Sequence, residues 1–383
     1  MDNSTASEIS SRTQGSSDFR LLEELLLYAD IRINGSRPWD IQIHSPVFPR
    51  QVFSRGSLGL GEAYIDGLWD VESLDSFFFR VLRAQLDRQI APIRLALHAL
   101  RAHILNLQTV RRAWQVGEAH YDLGNDFYRA MLDDRMTYTC GYWKNATTLE
   151  QAQEHKLELV CRKLGLRKGM RVLDIGCGWG SFMKFAAERY GVECVGVTIS
   201  RAQAEYGQRL CAGLPIEFRL QDYRSMSEQF DRVVSIGMFE HVGRKNHREY
   251  MEVVRRSLKD DGLFLLHTIG KNNRKSTPDP WIDKYIFPNG DLPSLGQIGD
   301  AVDALFVIED VHNFGADYDK TLMAWYRNFD AARPSLAAYG ERFHRMWRYY
   351  LLSCAGAFRA RDIQLWQVVL SKRGVHGGYV RHD

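Results

Sequence analysis

Val172-Leu-Asp-Ile-Gly-Cys-Gly-Trp-Gly180 runs from an apolar, β-forming start into three alternating glycines. Glycine at a strand-to-helix turn lets the backbone bend tightly and come close to a ligand. The spacing is G-x-G-x-G, not the G-x-G-x-x-G of a dinucleotide fingerprint, and Asp174 stands two residues ahead of Gly176. Alone, the string also fits an ordinary Gly-rich turn or a nucleotide site, so its context has to decide. Downstream of Lys156, helical stretches alternate with β-rich runs at 171–175, 193–199, 216–220, 231–236, 262–268, 305–311 and 364–371. The alternation predicts an α/β domain whose mostly parallel sheet carries helices on both faces. A helical region over 319–357 separates the last two runs.

The rest of the chain bounds the problem. It has 383 residues, 45% hydrophobic and 25% charged, enough for a sizeable core and more than one domain. No stretch approaches the roughly 18 uncharged apolar residues that span a bilayer. Residues 1–17 contain six serines and read as a disordered leader without a secretory signal. Residues 18–115 read as a smaller, mainly helical domain with a linker, and 116–383 as the α/β domain. Within the first, 21–29 is an apolar helix, 41–43 suggests short strands, and 57–69 opens as a turn and continues as a helix. From Leu82 apolar residues fall at 86, 90, 93, 97, 100, 104 and 107, one helical face broken at Pro92. Seven arginines and one aspartate lie between Arg80 and Arg112. They form either a solvated face over a core stripe or a surface for an anionic membrane. A net charge of +3 does not indicate a nucleic-acid binder. The six cysteines form no C-x-x-C pair, so no metal site is expected, and the thiols read as reduced in a cytoplasmic protein.

The glycine string resembles the S-adenosylmethionine loop of class I methyltransferases. That resemblance implies a Rossmann-like, seven-stranded, mostly parallel sheet with the cofactor over Asp174, Gly176, Cys177, Gly178 and Gly180. Downstream, Thr198 and Gln203 end the second strand, where many such enzymes place an acid, and both can hydrogen-bond a ribose diol. Asp222 and Tyr223 follow the third strand; the carboxylate can accept from an adenine amino group and the ring can pack beside the base. All lie at carboxyl ends of expected parallel strands, where open α/β sheets bind ligands.

Strand four leads into Ser235-Ile-Gly-Met-Phe-Glu-His-Val-Gly243, not the Asn/Asp-Pro-Pro-aromatic string of nucleobase-methylating enzymes. Glu240 and His241 fall near the expected methyl position. His267 ends strand five, Tyr318 follows Asn313-Phe-Gly-Ala-Asp, and His120–Tyr128 and Met136–Trp143 precede the sheet. Several titratable groups converging on one strand edge beside aromatics read as a site.

These strings, with Gly56-Ser-Leu-Gly-Leu-Gly-Glu62, Trp281-Ile-Asp-Lys-Tyr-Ile-Phe-Pro-Asn-Gly290 and Cys354-Ala-Gly-Ala-Phe-Arg-Ala-Arg-Asp-Ile-Gln-Leu-Trp366, resemble the bacterial cyclopropane-fatty-acyl-phospholipid synthases. The resemblance runs from Leu21 to Lys372. It implies transfer of a methylene from S-adenosylmethionine to a cis double bond of an unsaturated phospholipid acyl chain, through a carbocation and loss of a proton. It also implies a bound bicarbonate as the base, caged by Cys140, Glu240, His267, Tyr318 and the backbone of Ile269, and cofactor contacts at Tyr138 and Thr139. Cys354 is a further candidate through its place in a long family string. The same resemblance implies a homodimer working peripherally at the inner face of the membrane. Three rivals stay open: a methyl-branching lipid methyltransferase, a soluble small-molecule N- or O-methyltransferase, and a membrane-binding protein with a degenerate methyltransferase domain.

Overall fold

A computed structural model describes residues 17–86, 124–274 and 277–382. The serine-rich leader, most of the arginine-rich helices with Pro92, and His120 lie outside the described residues. The chain forms two compact units. One gathers Met1–Leu105, Asp279–Ile286 and Asp330–Asp362; the other holds Asn106–Pro278, Phe287–Phe329 and Ile363–Asp383. A single boundary near residue 115 was expected. The division is instead discontinuous, because two later segments complete the apolar core of the N-terminal helices.

The second unit carries a seven-stranded sheet. Its strands are β1 (Arg171–Ile175), β2 (Glu193–Thr198), β3 (Ile216–Leu220), β4 (Phe230–Ile236), β5 (Leu258–Lys271), β6 (Val307–Asn313) and β7 (Ile363–Ser371). Their order is β3-β2-β1-β4-β5-β7-β6, and β7 alone runs antiparallel to its neighbours. Leu173 and Ile175 enter one core with Val197 and Phe264, while Val172 enters the other with Val234 and Leu265. Burial on both faces explains why these strands read as unbroken apolar runs. All seven expected strands are present. β5 is longer than its apolar run because β7 pairs it on to Lys271 and β4 pairs it back at Leu258, and β6 is shifted two residues later. The order reverses between β1 and β4, which places a crevice at their carboxyl ends.

In the first unit the helix Ser17–Tyr28 buries Phe19, Leu22 and Leu26, as its apolar spacing predicts. The two-residue strands Gln42–Ile43 and Trp69–Asp70 pair antiparallel. The helix expected within 57–69 begins earlier, at Phe48, and ends at Ile65; Gly56 (φ 57°) kinks it. Trp69 is fully buried, its ring 5.2 Å from those of Tyr64 and Phe77. Two of the long sequence strings acquire packing reasons. A Cβ on Gly61 would lie 2.3 Å from Trp281 Cδ1, and Glu62 accepts from Lys284 Nζ at 2.7 Å and Tyr285 OH at 3.0 Å. A Cβ on Gly356 would lie 2.6 Å from the Asp75 carbonyl oxygen, so glycine brings the helix Gly340–Arg359 against Leu74–Arg83. The helical region expected over 319–357 is two helices, Ala316–Ala331 and Gly340–Arg359.

Gly180 closes the glycine loop with φ 85°, and a Cβ there would sit 2.5 Å from Phe218 Cζ and 3.2 Å from Cys211 Sγ. Gly180→Ala combines left-handed strain with overpacking. It is expected to destabilise the second unit by about 2–3 kcal/mol, read as a lower denaturation midpoint at unchanged slope.

Candidate active site

The carboxyl ends of β1 to β4 open onto a cleft of about 200 Å³. One water needs roughly 10–15 Å³ of such space, so the cleft is sized for an organic ligand. Ten of the expected cofactor residues line it: Tyr138, Thr139, Asp174, Gly176, Cys177, Gly178, Thr198, Gln203, Asp222 and Tyr223. Gly180 does not; it sits at the N-terminus of the helix Ser181–Tyr190 and makes room for Phe218.

The loop holds its shape through its own backbone. Gly176 N and Cys177 N both donate to the Val197 carbonyl, at 2.9 and 3.2 Å. A Cβ on Gly176 would lie 2.6 Å from Met238 Cβ, so glycine lets the turn after β4 close over β1. At the end of β2, Thr198 Oγ1 accepts from Ser200 N at 3.1 Å and donates to Gln203 Oε1 at 3.4 Å. Asp222 caps the turn Tyr223–Ser225 by accepting from Arg224 N, and its other oxygen takes Arg224 Nη1, both at 2.9 Å. Tyr223 packs edge-on against Tyr250, 5.1 Å between centroids, with its buried hydroxyl unpartnered.

A second group sits beside the cleft. The turn Phe239–His241 follows β4, and its neighbours Gly237, Met238, His241 and Val242 line the cleft while Glu240 does not. Glu240 docks instead on β5: its Oε1 accepts from Ile269 N at 2.6 Å, and Gly237 N donates to the His267 carbonyl at 2.9 Å. Glu240 Oε2 is buried without a partner, and burial pushes the carboxyl up to about 7. His267, two residues before Ile269 and on the same strand face, receives Gln367 Nε2 on Nδ1 at 3.3 Å. Its Nε2 is buried and unpartnered, and burial holds the imidazole neutral. Burial also drives His241 down to about 4.

Cys140 and Tyr318 belong to one assembly. Thr321, on the helix Ala316–Ala331, accepts from Gly141 N at 3.1 Å and Trp143 Nε1 at 2.9 Å, which fixes the segment carrying Tyr138, Thr139 and Cys140. Cys140 Sγ lies 3.9 Å from Thr321 Oγ1, and burial raises its thiol pKa far above the ordinary range. The rings of Tyr138 and Tyr318 both face Trp325, at 5.2 and 6.0 Å. Cys354 belongs to the first unit, half-buried on the helix Gly340–Arg359, with its thiol pushed by burial up to about 12.

The sequence reading missed Lys156. It lines the cleft, is 1% exposed, and donates to Thr139 Oγ1 at 2.9 Å. Its helix, Leu149–Lys163, buries Leu149, Ala152, Gln153, Lys156, Val160 and Lys163. That stripe of three- and four-residue steps was the available signal: a lysine on the apolar face. Phe287, Pro288 and Asn289 also line the cleft and had been quoted only as part of a long string.

Comparison with known proteins gives the geometry its context. A family model described as mycolic acid cyclopropane synthetase matches residues 108–368. The chain is 56% identical over 362 residues to the cyclopropane-fatty-acyl-phospholipid synthase of Escherichia coli (strain K12), covering 94% of both chains. It is similar in structure to the cyclopropane synthase MmaA2 from Mycobacterium tuberculosis, with 32% identity and a TM-score of 0.64 over 68% of this chain and 98% of that one. The mycolic acid cyclopropane synthase CmaA1 complexed with SAH and CTAB gives 35% identity and a TM-score of 0.64 over the same shares. The fold is therefore that of the class I methyltransferases, and the chain belongs to the mycolic acid cyclopropane synthetase family.

Proposed function

We propose that the chain transfers the methylene of S-adenosylmethionine to the cis double bond of an unsaturated phospholipid acyl chain, leaving a cyclopropane ring and S-adenosylhomocysteine. One observation carries the reading. The turn after β4 lines the cleft with four of its residues and holds, on its other side, a buried carboxyl with one oxygen unpartnered. A methyl-donor pocket and a proton-handling group thus share one turn. The 56% identity to a synthase of this reaction supports it.

The cleft suits the cofactor. Thr198 and Gln203 offer polar atoms to a diol, Asp222 and Tyr223 flank the space for a base, and Asp174 is an acid at the floor. When bound, S-adenosylmethionine supplies an electrophilic methyl on a sulfonium. The chain's residues orient that group and exclude water, which would trap a carbocation on the lipid. Tyr138 and Tyr318, held against Trp325, offer aromatic faces to the developing positive charge.

Bicarbonate fits the second group on chemical grounds. Glu240 Oε2 and His267 Nε2 are buried and unpartnered, and Gln367 on Nδ1 leaves the His267 proton on Nε2 as a donor. When bound, the ion supplies a base for the proton lost on ring closure. Two bare anions side by side are costly, so Glu240 serves by staying protonated, as its burial favours. Ile269 N–H is given to Glu240 and acts by orienting it. The reaction needs no covalent nucleophile, and Cys354 has no part in it.

Whole phospholipid as substrate implies work at a bilayer. Among the described residues no helix is long and apolar enough to cross a membrane. We propose peripheral attachment from the cytoplasmic side, to which the arginine-rich stretch of sequence from Arg80 to Arg112 would contribute its charge, and a homodimer as the working form.

Two measurements test this reading. Purified protein, S-adenosylmethionine, bicarbonate and vesicles of unsaturated phospholipid are expected to give a lipid that gains one CH₂ and loses its double bond. Bicarbonate-free buffer is expected to cut the yield at least tenfold, since general-base assistance is typically worth roughly 10²–10⁴, and Glu240→Ala, which removes the group proposed to hold the base, is expected to do the same. A gain of CH₂ with two further hydrogens would establish the methyl-branching chemistry instead. No lipid product with the cofactor bound would sink the phospholipid assignment. The second measurement is stability. The folded pKa of Glu240, about 7, exceeds the reference 4.5, so its ionisation opposes folding. That penalty is absent below about pH 4.5, grows as pH rises, and is complete above about pH 7, on the order of 3 kcal/mol. Glu240→Gln is expected to melt above wild type at pH 8 and level with it at pH 4.

A further inference from the structure

We propose that Thr321 is a positioning residue for the anion that serves as base: its hydroxyl, together with the Asp317 carboxylate, sets where Cys140 stands relative to Tyr318. The inference rests on bicarbonate occupying the second group, as proposed above.

The contacts start from one turn of the helix Ala316–Ala331. Thr321 is fully buried, and its hydroxyl donates to the Asp317 carbonyl, one turn back, at 3.0 Å. That bond uses the only hydroxyl proton and fixes the rotor, so the two lone pairs are left to accept. Both are taken, one by Gly141 N at 3.1 Å and one by Trp143 Nε1 at 2.9 Å. Asp317 Oδ2 accepts from Trp143 N at 2.8 Å. Three hydrogen bonds thus join one helical turn to the residues just after Cys140, and Tyr318 stands on that turn. A hydroxyl with three partners has nothing left for a thiol. Cys140 Sγ, 3.9 Å from Thr321 Oγ1, donates instead to the Gly141 carbonyl beside it at 3.2 Å. The clasp therefore holds the backbone of Cys140 and leaves the thiol as a weak donor that an anion can claim.

The same segment reaches His267 through one ring. Tyr142 packs edge-on against Phe314 with centroids 5.3 Å apart, and Phe314 faces the His267 ring at 5.8 Å. A shift of the segment is felt by Cys140, Tyr318 and His267 together.

A second anchor separates this duty from cofactor binding. Thr139 is held from the helix Leu149–Lys163: Gln153 Nε2 donates to its carbonyl at 2.8 Å, and Lys156 Nζ to its hydroxyl at 2.9 Å. Thr139 lines the cleft and Cys140 does not. The chain passes from the cofactor wall to the anion group at the peptide between them, with its own clamp on each side. Loosening one clamp disturbs one ligand. A residue that merely supported the fold would disturb both.

The test reads the two ligands separately on the full-length protein, with sodium chloride at matched ionic strength as the control. Bicarbonate is followed without lipid, as the rise of the denaturation midpoint with its concentration, and with lipid vesicles, as the concentration giving half-maximal product. S-adenosylmethionine is followed by calorimetric titration. Thr321→Val leaves two buried N–H groups without an acceptor. It is expected to raise half-saturating bicarbonate about tenfold while cofactor affinity stays within about twofold. Thr321→Ser is expected to restore the wild-type bicarbonate curve, and Gln153→Leu to show the reverse split. Trp143→Phe removes one donor, keeps both backbone bonds, and is expected to raise half-saturating bicarbonate about threefold. That arm decides the matter where Thr321→Val does not fold. Wild-type bicarbonate dependence in folded Thr321→Val, or in Trp143→Phe, overturns the proposal. So does Thr321→Val weakening both ligands alike. Wild type indifferent to bicarbonate in both readouts overturns the base assignment itself, and this inference with it.

Discussion

Charge buried at the carboxyl edge of a parallel sheet is the constraint on which the rest of this site depends. Asp174, Lys156, Glu240 and His267 are each under a tenth exposed, and all converge on the ends of β1, β4 and β5. An isolated charge there is expensive, and an unpaired polar atom is costly as well. The molecule meets the constraint in two ways. On the cofactor side it gives the buried Lys156 ammonium the Thr139 hydroxyl as its acceptor. On the β5 side it keeps the groups neutral, a carboxyl pushed up by burial and an imidazole pushed down. The two solutions suit different ligands. A sulfonium with an amino-acid end wants a fixed anion, whereas an anionic base wants donors and a proton, not a second negative charge.

The turn after β4 divides these two environments. Gly237 and Gly243 both take positive φ, which lets five intervening residues bend sharply enough for Met238 to face Gly176 while Glu240 reaches Ile269. The geometry thus separates the cleft lining from the buried carboxyl over the width of one peptide segment, the separation the proposed reaction requires of methyl delivery and proton removal. A reaction through a short-lived carbocation needs that closeness, since the proton must leave before another nucleophile arrives.

Legibility in the sequence followed the range of the forces involved. The seven strands, the glycine loop and the residues at strand ends could be read because strand burial and turn chemistry act over a few residues. Asp222 was read as a ligand-facing acid; it lines the cleft while also capping its own turn, and sequence alone does not separate those duties. Lys156 was overlooked because its partner, Thr139, is 17 positions away, although its place on a buried helical stripe was visible. The helix start at Phe48 was missed because Gly56 mimics a boundary when it is only a kink. The discontinuous first unit was equally out of reach. It is set by Trp281 against Gly61 and Gly356 against Leu74–Arg83, contacts made by residues more than 200 positions apart.

Those long-range contacts bear on why Cys354 lies in so long a shared string. The apparent signal there was a cysteine, yet the residue doing the packing is Gly356, whose missing Cβ admits the Asp75 carbonyl and Phe78. Three positions further, Arg359 Nη1 pairs with Asp75 Oδ2 at 2.6 Å and closes the same helix contact. A thiol raised to about 12 is a poor nucleophile at neutral pH, because the thiolate is the reactive form. The string around Cys354 therefore records how two helices fit.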